Sequence, residues 1–124
     1  MDDEKMVRNI LMAMLHAVGH EVLLAKDGME AVQLYREAMA IDTPIDLIIM
    51  DLTIPGVMGG KEAVQEILAI NPEAKVVVSS GYSNDPVMAN FRDYGFSSAI
   101  AKPYQLSEIT MVISQLLIDT SAHN

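Results

Sequence analysis

The chain has 124 residues, with 8 lysines and arginines against 17 aspartates and glutamates, a formal net charge of −9. One domain is the natural count, and 51% hydrophobic residues can fill its core, which excludes disordered, collagen-like and disulfide-stapled classes. Zero cysteines exclude thiolate chemistry and Cys-ligated metals, the acidic balance disfavours binding of nucleic acid by this chain alone, and no apolar run approaches the roughly 20 residues of a membrane helix.

No signal peptide is visible, so the cytoplasm is the expected location. In chain order, Val7, Ile10, Leu11, Met14 and Val18 keep a 3.6-residue spacing that predicts a first helix ended by Gly19. A short strand is expected from Glu21 to Ala25. Asp27 with Glu30 three residues later predicts the capped start of a second helix, whose buried stripe is Ala31, Leu34, Tyr35 and Ala38; Pro44 closes it. Leu47 to Met50 is a continuous apolar run ending in Asp51, the pattern of a strand covered on both faces.

A loop with Pro55, Gly56, Gly59 and Gly60 leads to a third helical stripe, Ala63, Val64, Ile67 and Leu68, stopped before Asn71-Pro72. Val76 to Ser80 reads as another buried strand. Ser83 to Pro86 predicts a capped helix running to Gly95, and Ser97 to Ala101 a last strand. Ile109, Val112, Ile113, Leu116 and Leu117 form the stripe of a closing helix with Ser107 as its expected cap; 120–124 reads as a loose tail after a domain of residues 1–119. This alternation predicts an open, doubly wound α/β fold with a parallel sheet between two helix layers.

In such a sheet ligands sit outside the carboxyl ends of the strands. Asp51, Ser80 and Lys102 each finish a strand there, and Asp2 and Asp3 precede the first helix on the same edge. Taken singly, each is an ordinary turn, cap or surface residue; together they gather carboxylates, a hydroxyl and an ammonium. Clustered carboxylates repel unless a cation neutralises them. Oxygen ligands without histidine or cysteine favour Mg²⁺ or Mn²⁺, with Lys102 and Ser80 left to meet an incoming phosphoryl group.

At these residues the chain resembles the receiver domains of response regulators in two-component signalling. The resemblance rests on Asp2-Asp3, Asp51 in LIIMDLTIPG, Ser80 in VVVSSG and Lys102-Pro103 in AIAKPY. The wording around them is most similar to the receivers of hybrid sensor histidine kinases. The resemblance implies that Asp51 is the phosphoacceptor. Its partner would be a histidine kinase or a histidine phosphotransfer domain, and pairing with a second copy is compatible with it. It further implies that Asp3, aided by Asp2, holds Mg²⁺ with Asp51 and the Thr53 backbone carbonyl. Lys102 and Ser80 would bind phosphoryl oxygens, and a cis Lys102-Pro103 bond would aim the ammonium. Such a domain promotes its own phosphorylation and dephosphorylation without being a turnover enzyme, although a parent protein would be a kinase.

Departures from the family pattern matter. Ala99 stands where many receivers carry a switch aromatic, and Tyr82 and Thr53 occupy the positions that tune water access to the acyl phosphate. Tyr82 and Tyr104 are expected to be partly exposed loop residues, His16 and His20 to be ordinary helix and turn residues, and the ten methionines to be mostly core filler. The acidic stretch Asp2 to Glu4 also suits a helix dipole with no ligand.

Three other classes compete. A receiver-like interaction module that is never phosphorylated is weakened by the intact Asp51, Ser80 and Lys102. A Mg²⁺-dependent phosphatase working through an aspartyl phosphate would want a second aspartate where Thr53 stands. A flavodoxin-like electron carrier would want a phosphate loop and flavin-stacking aromatics.

One element is expected to be absent. In receivers the acidic pair follows a buried central strand, yet only Met1 precedes Asp2. The expectation is a chain that begins late or another segment in that slot, four strands in all, and a poorly tethered Asp2 and Asp3.

Overall fold

The computed structural model describes residues 1–121 apart from 53, 55 and 83, with 118–121 described by their backbone. Its elements are α1 (Lys5–Ala17), α2 (Gly28–Ala40), β1 (Ile48–Asp51), α3 (Gly60–Ile70), β2 (Val76–Ser80), α4 (Pro86–Ala89), a 3₁₀ turn (Phe91–Tyr94), β3 (Ser98–Ala101) and α5 (Leu106–Ser121). The three strands form one parallel sheet in the order β1-β2-β3. β2 is buried along its whole length. Its VVVSS sequence is the uninterrupted run that a strand covered on both faces requires.

Local chemistry sets the helix ends. Gly19 leaves α1 at φ 90°, and Gly95 follows the 3₁₀ turn at φ 97°, both in the left-handed region that favours glycine. At the start of α2 the Asp27 carboxylate accepts the Glu30 N–H at 2.9 Å, while Glu30 reaches back to the Lys26 N–H at 3.1 Å. The Asp85 carboxylate accepts the Val87 N–H at 2.9 Å, with Pro86 in the first turn as expected.

The core divides across the sheet. Met50, Val76 and Val78 pack with α2 and α3 through Tyr35, Val64 and Ile67. Ile49, Val77 and Ile100 pack on the other face with Ile109, Val112 and Ile113 of α5 and with Leu11, Met14 and Leu15 of α1. This alternation of Ile49 and Met50 to opposite faces is the period-2 pleat.

Several expectations are corrected. The segment from Glu21 to Ala25 is not a strand. A parallel ladder needs a neighbour about 4.8 Å away, whereas this segment is reached by the Asp2 N–H, which donates to the Ala25 carbonyl at 3.1 Å. The helix expected to run to Gly95 breaks at Asn90, which leaves helical angles while its side-chain amide bonds the Pro86 carbonyl at 3.1 Å. Ser107 does not cap α5. The Ile109 N–H bonds the Gln105 carbonyl, so the helix starts two residues earlier, at Leu106, and Ser107 lies inside it.

The same helix continues through Thr120 to Ser121; the rest of the expected tail lies outside the described residues. In α1, Ile10 and Val18 of the expected stripe are exposed, the first at 46%, because only the Leu11, Met14 and Leu15 side meets the core. The methionines are not mostly core: Met6, Met29, Met39 and Met111 are exposed on helices, and Met50 is the fully buried one.

Asp2 is firmly held, contrary to expectation. The Met1 ammonium donates to the Ile49 carbonyl at 2.7 Å, and the Asp51 N–H donates to the Met1 carbonyl at 2.9 Å. Met1 thus pairs with β1 as one residue of a parallel strand would, on the edge facing away from β2. Arg8 locks the next residue by donating from Nη1 to the Asp2 carbonyl at 2.9 Å.

Candidate functional site

The parallel register pairs Asp51 with Ser79 and Ser80 with Ala101. Each strand therefore delivers its last polar side chain to the same edge. The Lys102 N–H bonds the Ser80 carbonyl at 2.9 Å and carries the pairing one residue past β3, which brings the lysine to the edge as well. The Lys102-Pro103 bond is cis.

Lys102 Nζ lies 2.6 Å from Asp2 Oδ2 and 3.2 Å from Asp51 Oδ1. The other Asp2 oxygen accepts the Glu4 N–H at 3.0 Å. One ammonium thus joins two carboxylates that lie far apart in the sequence. Burial pushes the Asp51 carboxyl above its ordinary value and the Asp2 charge adds to this, against the pull of Lys102. Burial alone would lower the Lys102 ammonium, but the bond to Asp2 and the charges of Asp51 and Asp2 outweigh it and raise it. The Met1 ammonium is lowered to about 6, by burial first, despite the charges of Asp2 and Asp51.

The sequence-selected residues do not all meet at one point. Asp3 is exposed and groups with Asp2 and Glu4, their carboxylate oxygens lying within 4.8 Å of one another. Asp51 meets Asp2 through the lysine. Glu4 had been read as a helix-dipole residue, and its place in the run Asp2 to Glu4 was the signal available for more. These donors are hard oxygens with no histidine or sulfur among them, and the half-buried Asp51 with its raised pKa is joined to Asp2 through Lys102, so the residues present fit Mg²⁺ or Mn²⁺. Thr53 lies outside the described residues.

Ser80 is buried and its Oγ accepts the Tyr82 N–H at 3.0 Å. The Tyr82 ring is 75% exposed. Tyr104 is a half-buried loop residue, as expected, and it has a partner. Its hydroxyl lies 2.7 Å from Ser79 Oγ on fully buried Ser79, and burial raises its pKa. Sequence reading missed this pair, because Ser79 looks like one more residue of an apolar strand. Ala99 packs at the margin of the α2 and α3 core with no aromatic ring of its own to move.

The response regulator receiver domain family matches residues 1–114. The chain is 31% identical over 116 residues to the chemotaxis protein CheY of Thermotoga maritima, covering 93% of this chain and 92% of that protein. A response regulator receiver domain protein from Clostridium thermocellum superposes with a TM-score of 0.88 at 22% identity, covering 99% of this chain and 94% of that one. The response regulator TrrA of Thermotoga maritima, solved in complex with Mg²⁺ and BeF, superposes at 0.76 with 25% identity, covering 93% of each chain. With a match spanning nearly all its length and the strand ends arranged as described, the chain belongs to the response regulator receiver domains of two-component signalling.

Proposed function

We propose that Asp51 accepts a phosphoryl group from a phosphohistidine on a partner histidine kinase or histidine phosphotransfer domain, in the cytoplasm. A bond forms from an Asp51 carboxylate oxygen to phosphorus as the phosphorus–nitrogen bond breaks, and the imidazole nitrogen keeps the electron pair. The observation that carries this reading is the single Lys102 ammonium bridging Asp2 and Asp51 at the strand ends. It is already placed to follow negative charge from carboxylate to phosphoryl oxygen, and Ser80 stands on the adjoining strand end to donate a hydroxyl.

Asp3 and Asp2, with Asp51 and the Thr53 carbonyl, are the residues proposed to hold Mg²⁺. When bound, the ion offsets charge on the phosphoryl oxygens. The Mg²⁺ in the TrrA complex supports this assignment. Tyr82 is proposed to slow hydrolysis by covering the acyl phosphate, and membership of a hybrid sensor kinase is proposed from the local wording around the motifs.

Intact-mass measurement after acetyl phosphate with Mg²⁺ tests the reading. One phosphoryl group is expected on the wild type and none on Asp51→Asn. A mass shift that survives that substitution removes Asp51 from the role.

A further inference from the structure

Asp51 ends β1, Lys102 follows β3, and β2 lies between those strands. Two strand spacings put roughly 10 Å between the outer chains, yet the lysine ammonium stands 3.2 Å from Asp51 Oδ1. The lysine stem therefore crosses the end of β2. The pleat decides which residue it passes. Ile49, Val77 and Ile100 share the face that α5 covers, and two positions on, Asp51, Ser79 and Lys102 fall on that same face. Asp51 and Ser79 are register partners, so Ser79 is the β2 residue beneath the stem, and it is fully buried.

The chemistry of the strand changes at that position. Val76, Val77 and Val78 precede it, and a fourth valine would fill the face with no polar atom to satisfy. Ser79 instead brings a hydroxyl, which lies 2.7 Å from the Tyr104 hydroxyl. The Tyr104 ring packs against the cluster of Ile49, Val77 and Ile100, where a phenylalanine would pack as well. Packing leaves both hydroxyls unexplained. What they add is a second fastening of the turn that carries the lysine. The Lys102 N–H bonds the Ser80 carbonyl at 2.9 Å, and two residues on the Tyr104 hydroxyl meets Ser79 Oγ, so residues 102 and 104 are both tied to the end of β2.

We propose that Tyr104 and Ser79 are positioning residues for phosphoryl transfer, their hydroxyl pair holding this turn so that the Lys102 ammonium stays between Asp2 and Asp51. The proposal rests on Asp51 as the phosphoacceptor. A lysine is a compact charge on a flexible stem, placed by where its backbone is held as well as by its partners. Transfer that depends on positioning falls steeply when a group moves by about an ångström. Both hydroxyls act through the lysine.

Intact-mass time courses with acetyl phosphate and Mg²⁺ test this. In the labelling step an Asp51 oxygen bonds phosphorus, the bond from phosphorus to the acetyl oxygen breaks, and acetate leaves with the electron pair. Tyr104→Phe is expected to slow labelling about fivefold or more in the wild-type background. In a Lys102→Met background it is expected to slow labelling by less than about twofold, because a residue that acts through the lysine has nothing left to place. Equal slowing in both backgrounds is what a merely structural role gives, and it overturns the proposal. A variant that folds poorly is controlled by the Ser79→Ala/Tyr104→Phe double variant, which leaves no hydroxyl buried without its partner. Its melting temperature is expected to return towards that of the wild type while its labelling stays as slow as that of Tyr104→Phe; labelling that recovers with the melting temperature overturns the proposal. Asp51→Asn, run alongside, separates the two readings. A mass shift that survives it removes the acceptor and this proposal together, whereas no shift there and a wild-type rate in Tyr104→Phe overturn the positioning role alone.

Discussion

The Lys102 ammonium stands closer to Asp2, at 2.6 Å, than to Asp51, at 3.2 Å. The lysine therefore sits on the same carboxylate that a divalent cation would claim. A divalent cation held there would compete with the ammonium for the Asp2 carboxylate.

The expected consequence is that Lys102→Met binds Mg²⁺ more tightly than the wild type, by about fivefold or more, because an opposing positive charge within contact distance is removed. The same variant is expected to take up phosphoryl groups from acetyl phosphate more slowly. Titration calorimetry and a labelling time course check the two halves separately. Weaker Mg²⁺ binding in the variant would show that the lysine organises the carboxylates and does not compete for them.

Stability is expected to rise between pH 6 and pH 8. The Met1 ammonium has its pKa lowered from 8.0 to about 6 by burial. Between those values the unfolded chain binds more protons than the folded one, so raising the pH favours folding. The full effect is about 2–3 kcal/mol. Nα-acetylation replaces the ammonium with a neutral amide that keeps its N–H for the Ile49 carbonyl. Urea melts at several pH values should therefore show the rise in the free chain and a flatter profile in the acetylated one.

The pair formed by Ser79 and Tyr104 is expected to behave as a unit. Tyr104→Phe leaves the Ser79 hydroxyl buried without its partner, a cost of about 1–3 kcal/mol, and Ser79→Ala does the converse. The double variant should recover much of that loss, since neither polar group remains to be satisfied. A double-mutant cycle by urea unfolding measures the coupling; additive losses would mean that the 2.7 Å contact carries no energy of its own.

What could be read from sequence was what is decided within one turn or one strand. Asp27 and Glu30 announce their cap because both partners lie three residues apart, and Val76 to Ser80 announces a buried strand because both faces are apolar. The edge holding Asp51, Ser80 and Lys102 followed from knowing where parallel strands end. The strand expected from Glu21 to Ala25 failed because a strand depends on its neighbour, and the adjoining position holds only Met1 and Asp2 among the described residues. The bond between Tyr104 and Ser79 was not legible for the same kind of reason, its partners lying 25 positions apart. The firm hold on Asp2 was illegible because it depends on Ala25, Arg8 and Lys102 together.

The start of α3 is pressed against the end of β1. A Cβ placed on Gly60 would stand 2.5 Å from the Asp51 carbonyl oxygen and 3.1 Å from the Met50 Cβ. Further along the same helix, Gln65 Nε2 donates to the Tyr94 carbonyl at 2.8 Å, and Lys61 Nζ lies 5.6 Å from the centre of the Tyr94 ring. The helix thus touches the Asp51 backbone at one end and the turn before β3 along its flank. Close-packed contacts of this kind have no slack to absorb a displacement. A shift of the Asp51 main chain would therefore press on α3, and through Gln65 and Lys61 on the surface around Tyr94.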